Sequence, residues 1–320
     1  MTFDCTRGGG CCLAWVAVIS PLLLAARSER VRRLVTGRPV TRRVVDRFVA
    51  GETVESAVRA TRALTGAGLA VTLDHLGEDV RDPGQAEATR DAYLRLCAEL
   101  ERAGLSQGAE ASVKLSALGL RVEDRLALDN ARRICEGAER AGMAVTVDME
   151  DHTTVDSTLD IVRELRTGFP GVGVAVQAML RRSEGDLRDL AGTRVRLVKG
   201  AYAEPASVAY PTKAEVDRAY VRGLRLLLRE PGGYPMVASH DPRMIELALW
   251  MARDAGREPG TYEFQMLYGI RGAEQKRLAG LGERMRVYVP YGSDWYGYFM
   301  RRLAERPANL AFFLRSFVSR

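Results

Sequence analysis

The sequence predicts a single-domain α/β protein, a TIM-like (β/α)8 barrel with helices ahead of it and a further helix after the eighth strand. Three observations carry that expectation. The chain has 320 residues, 47% of them hydrophobic, enough for one large core. From residue 69 onward, eight short β-rich runs alternate with amphipathic segments, the pattern of parallel strands joined by crossover helices. Polar residues recur at the carboxyl ends of those runs, the face on which barrels carry their sites.

Residues 1–20 read as an extension outside the domain. Cys5, Cys11 and Cys12 crowd that end with no histidine beside them, while Cys97 and Cys135 sit in helical patterns. Neither a disulfide frame nor a zinc site fits. The apolar run 11–26 contains Ser20 and Pro21 and falls short of the ~20 residues needed to span a bilayer. Asp4 and the lack of a small-residue cleavage site weigh against a secretory signal.

Residues 21–320 read as one domain, with a helical lead-in over 21–66 and the barrel over 69–320. Eight arginines fall between Arg27 and Arg47, with Val31, Leu34, Val35, Val44 and Val45 set among them. With a net charge of +6, this suits either basic amphipathic helices against an anionic membrane surface or a solvated helical face.

The strands are expected at 69–76, 110–117, 144–151, 173–179, 195–202, 235–241, 262–269 and 285–292. Helices are expected near 85–104, 124–141, 153–167, 183–191, 212–229, 242–255 and 271–281, then 295–306 and a terminal helix. Asp74, Lys114, Asp148, Gln177, Lys199, His240, Gln265 and Tyr288 then gather toward one rim.

Several groups there could do chemistry. Arg301 and Arg302, about 100° apart on a helix, suit clamping a carboxylate with forked donors; taken alone, the pair also fits a solvated face balanced by Glu305. Lys114 and Asp148 end neighbouring strands and can pair. A Schiff-base role for Lys114 needs a lowered pKa, against which a nearby aspartate works. Gly200 in RLVKGAY opens the backbone where a planar ligand could approach, or simply ends a strand. His240 lacks metal-binding spacing, so no metal is expected. The missing GxGxxG argues against a Rossmann cofactor site.

Taken in order, SVKLSALG, TVDMED, VAVQAML, VRLVKGAY, ASHD, YEFQMLYG, VYVPYG and the YxxRRLxE pattern at 298–305 resemble the motif set of the monofunctional bacterial proline dehydrogenases. The resemblance runs from about residue 21 to the end of the chain. It implies a distorted barrel holding FAD noncovalently, which oxidises L-proline to Δ1-pyrroline-5-carboxylate by hydride transfer to flavin N5 and passes electrons to a membrane quinone. By the same resemblance, Lys114, Arg301 and Arg302 bind the substrate carboxylate, and Asp148 supports Lys114. Leu267, Tyr288, Ala201 and Tyr298 enclose the ring, and Arg196 approaches flavin N5. Met149, Gln177, Lys199, Gly200, Ala201, Ser239 and His240 hold the cofactor, and Glu78 pairs with Arg301 as a gate.

A cytoplasmic place at the inner face of the membrane, and a functional link to a pyrroline-5-carboxylate dehydrogenase, are implied as well. Two rival readings fit the same residues. One is a Schiff-base aldolase or another flavin barrel such as a folate reductase, since one fold hosts many chemistries. The other is a non-enzymatic membrane or nucleic-acid binder using residues 27–47, which would have no need of a polar rim; nucleic acid is not an expected partner.

Overall fold

The computed structural model describes residues 45–305, with side chains as far as residue 300. The lead-in before residue 45, most of the arginine-rich stretch and the terminal helix lie outside the described residues. Among the described residues helix α1 (Val54–Gly66) comes first, followed by β1 (Ala70–His75), α2 (Pro83–Arg102), β2 (Glu110–Val113), α3 (Asp124–Arg140), β3 (Ala144–Val147), α4 (Val155–Gly168) and β4 (Gly173–Gln177). Then come α5 (Ser183–Asp189), β5 (Arg194–Val198), α6 (Lys213–Arg229), β6 (Tyr234–Ala238), α7 (Pro242–Asp254), β7 (Glu263–Leu267), α8 (Gly272–Gly280), β8 (Met285–Tyr291) and α9 (Trp295–Glu305). The eight strands pair in sequence order, all parallel, and β8 closes on β1.

Local chemistry sets the helix starts. Asp82 and Asp241 each cap a helix that has proline in its first turn, where the ring's missing N–H costs nothing. Thr212 and Glu215 form a reciprocal capping box on α6, satisfying two donors that the helix itself leaves open. Seven helices fall within two residues of expectation, as does α9.

The strands begin where expected but stop sooner. Residues 114–117, 148–151 and 199–202 leave the sheet, and Leu115–Leu118 turn into a 3₁₀ helix. Register explains it: at β2–β3, pairing ends at Val113 and Val147, so the residues beyond are free to bend across the mouth.

Alternation along each strand divides two environments. Val71, Leu73, Ala111, Val113, Val145, Val147, Val195, Leu197, Val287 and Val289 join the main apolar core between sheet and helices. The alternate positions face a polar lumen. A smaller apolar cluster joins Val45, Phe48 and Val49 to Leu76 and to Trp295, Tyr298 and Phe299 of α9, seating that helix at the carboxyl mouth.

Candidate active site

Barrel interiors ordinarily fill with branched apolar side chains; here the lumen holds charge. Arg196 on β5 is 3% exposed. Its Nε donates to Gln265 Oε1 (2.7 Å), Nη1 to Ser112 Oγ (2.7 Å) and Asp148 Oδ1 (2.6 Å), and Nη2 to Glu110 Oε1 (2.6 Å). Glu110 also accepts from Thr72 Oγ1 at 2.9 Å and Arg194 Nη2 at 3.0 Å. Glu263 accepts from Gln265 Nε2 and Arg286 Nε, each at 2.6 Å. Such charges are tolerable in a core only because each is paired, and stripping one partner costs about 3–5 kcal/mol.

Above this network lies Lys114. Its Nζ stands 2.8 Å from both Asp74 oxygens and 3.8 Å from Asp148 Oδ2. The expected Lys114–Asp148 pairing is therefore secondary, and Asp74 is the hydrogen-bonded partner. The register that sets Asp74 beside Ser112 puts Lys114, two residues on, over the same face. Asp148 is shared instead among Ser112 Oγ (2.9 Å), Arg196 and Tyr288 Oη (2.7 Å).

Burial alone would lower the pKa of Lys114, but Asp74, Asp148 and Glu78 outweigh it and raise the pKa, so the ammonium stays charged. That is the reverse of what a Schiff-base nucleophile needs. Burial, then Asp148 and Asp74, push the Tyr288 phenol well up. It remains a neutral donor, its ring 5.4 Å from the Arg196 guanidinium, within cation–π range.

The residues expected around a cofactor lie at the ends of β3 to β6. Gln177 Nε2 donates to the carbonyls of Met149 (3.2 Å) and Glu150, while its Oε1 is buried without a partner among the described residues. His240 Nε2 accepts the Leu267 N–H at 2.9 Å, which leaves the ring proton on Nδ1. Ser239 Oγ accepts the Asp241 N–H at 3.1 Å, and Ala201 is exposed. Lys199 is held by Asp217 and by Asp241 (3.1 Å), so an incoming phosphate would compete with two carboxylates. Gly200 has φ 107°, and a Cβ there would stand 2.3 Å from Met179 Sδ. A neighbouring side chain and the backbone conformation account for this glycine.

Tyr298 is 7% exposed within the α9 cluster. Positions 301 and 302 lie on α9, but their side chains are outside the described residues, and so is the expected Glu78–Arg301 pair. Sequence reasoning missed Glu110, Ser112, Glu263 and Arg286. The signal was present as polar residues two apart within strands, in EASVK, EFQ and RVY. A cavity of about 310 Å³ at the opposite mouth, lined by Gly68, Ala70, Gln107, Ala109, Arg284 and Met285, takes no part in this constellation.

Residues 57–315 match the family described as Proline dehydrogenase. The chain is 41% identical over 282 residues to Proline dehydrogenase 1 of Bacillus subtilis (strain 168), covering 88% of this chain and 92% of that protein. It is 45% identical over 276 residues to Proline dehydrogenase of Deinococcus radiodurans, covering 84% and 88%. Among solved structures, proline utilization A (PutA) from Bdellovibrio bacteriovorus, inactivated by N-propargylglycine, superposes with a TM-score of 0.79 at 24% identity. That match takes in 92% of this chain and 36% of the larger protein, and shows the shared barrel. By the matched span and these identities, the chain belongs to the proline dehydrogenase family and is an oxidoreductase acting on proline.

Proposed function

We propose that this chain oxidises L-proline to Δ1-pyrroline-5-carboxylate with FAD as its cofactor, passing electrons to a quinone as the first step of proline breakdown to glutamate. The observation that carries the reading is the charged Lys114 at the carboxyl mouth, set between Asp74 and Asp148 and above the Arg196 network.

The residues at the mouth fit a flavin. Gln177 presents a buried carboxamide oxygen with no partner among the described residues that a ring or ribityl donor would satisfy, since such an acceptor is costly to leave open. Met149, Gln177, Lys199, Gly200, Ala201, Ser239 and His240 would hold the group. When bound, a flavin supplies a two-electron acceptor for the hydride leaving the proline ring carbon beside nitrogen.

The chain's own side chains do the rest. Lys114, with Arg301 and Arg302, binds the substrate carboxylate and fixes the ring's orientation. Asp74 and Asp148 hold the Lys114 ammonium in place. Tyr288, Leu267 and Tyr298 enclose the ring and exclude water. Arg196, pinned on four sides, keeps a permanent positive charge beneath the reacting centre and favours an electron-rich partner there. Residues 27–47 would rest on the anionic inner face of the membrane, near the quinone, and the product would pass to a pyrroline-5-carboxylate dehydrogenase.

The test is an absorption spectrum of the purified protein before and after anaerobic addition of L-proline, then of a quinone. Flavin bands that bleach with proline and return with quinone are the expected result. Flavin that ignores proline, or no flavin even after FAD is supplied, overturns the reading.

A further inference from the structure

Ser116 lies in the 3₁₀ turn two residues beyond Lys114 and is fully buried. Each of its polar groups is used. Its N–H donates to Glu150 Oε1 at 2.9 Å and its hydroxyl donates to Glu150 Oε2. The same hydroxyl oxygen accepts the Asp79 N–H at 3.2 Å, and the Ser116 carbonyl accepts the Val80 N–H at 3.1 Å. One serine thereby joins the segments following β1, β2 and β3.

The polarity of this knot is set by Glu150. Burial raises the pKa of Glu150, opposed by its two hydrogen bonds from Ser116 and by the Lys114 charge, all of which favour the carboxylate; in that form it can only accept, so it draws the hydroxyl proton and turns the oxygen's lone pairs toward Asp79. The turn it holds is a costly one. Asp79 has φ 54°, a left-handed conformation uncommon for a residue with a Cβ, which persists where the surroundings enforce it. On the outer side Arg121, also in the segment after β2, bridges Asp79 (3.4 Å) and Asp151, a second tie among the same three segments. Glu78 is the next residue along, and its charge is among those acting on Lys114.

We propose that Ser116, backed by Glu150, is a positioning residue that fixes the turn after β1 and so holds Glu78 over the Lys114 site. The inference rests on the reading of Glu78 as a gate closing over bound proline. Without the Ser116 hydroxyl the Asp79 N–H loses its acceptor, the left-handed turn relaxes, and closure must reorder the loop each time substrate binds.

Steady-state kinetics of the flavin-loaded Ser116→Ala, Glu78→Ala and double variants test it. Ser116→Ala should raise the KM for proline about fivefold, the worth of the hydrogen bond its hydroxyl accepts from Asp79, with kcat held within about twofold. The double variant should add nothing to Glu78→Ala alone. An unchanged KM in Ser116→Ala beside a raised KM in Glu78→Ala overturns the positioning role and leaves the gate standing, and additive effects do the same. An unchanged KM in Glu78→Ala removes the gate itself, and the inference with it. Hydrogen exchange on the unmodified holoenzyme needs no variant to fold: the Asp79 and Val80 amides should exchange at least about tenfold slower than free-loop amides. Unprotected amides there overturn the proposal.

Discussion

At the residue scale the lumen is an economy of matched charges, and its members cannot be exchanged one at a time. Arg196 serves Gln265, Ser112, Asp148 and Glu110 at once. Replacing it by methionine leaves Glu110 and Asp148 facing each other's field without their shared cation. We expect Arg196→Met to lose flavin or its reduction by proline, and to unfold at lower denaturant because two buried anions each lose their nearest cation, Glu110 keeping Arg194 as its salt-bridge partner and Asp148 only the more distant Lys114. Normal flavin content with normal reduction in a rapid-mixing experiment would refute the assignment. Arg302→Met is expected to raise the KM for proline by about tenfold or more while FAD stays bound, since a forked donor to the carboxylate is lost. A KM equal to that of the parent would remove Arg302 from substrate binding.

At the element scale, the ends of strands matter more than their middles. Each strand's last paired residue decides where the chain turns across the mouth, and with it where Lys114, Asp148 and Lys199 stand. Gly200, just past β5, makes this testable. Its φ of 107° is open to glycine but strained for other residues, and an added methyl group would meet Met179. Met179 is flexible and can give way, whereas the backbone cannot. Gly200→Ala should therefore destabilise the protein by about 1–3 kcal/mol, and Met179→Ala on the same background should recover only part of the loss. Urea unfolding of both variants measures this; full recovery would mean that crowding alone requires the glycine. Helix packing shows the same need for small residues at Gly137 on α3, where a Cβ would meet Leu94 of α2 at 2.6 Å.

For the molecule as a whole, buried carboxylates tie stability to acidity. Burial alone would raise the pKa of Glu110, but Arg286, Arg196 and Arg194 outweigh it and hold the pKa at about 2, against 4.5 for an ordinary glutamate. Between those values the unfolded chain takes up the proton and the folded chain does not. Stability is therefore highest above the ordinary value and falls as pH drops toward the folded one. Guanidinium unfolding from about pH 5 down to about pH 2 should show a steadily falling midpoint; a midpoint that stays level would exclude this contribution. Salt should change the trend little, because pairs this deeply buried are poorly screened.

The sequence by itself determined the order of strands and helices, the closure into eight βα units, and the gathering of polar side chains at one mouth. Periodicity and capping are local signals, read within one or two turns of chain, as the starts of α2 at Asp82 and α7 at Asp241 illustrate. Its motifs also pointed to the family before any contact was visible. What only the tertiary structure decided is which acid serves which base. Asp74 and Lys114 are 40 residues apart and Glu110 and Arg196 are 86 apart. Nothing local distinguishes Asp74 from Asp148 as the partner of Lys114, or marks Ser116 as the tie between three strand ends. Barrel closure and strand register choose among them, because hydrogen bonds act over about 3 Å and only the folded sheet sets distances on that scale.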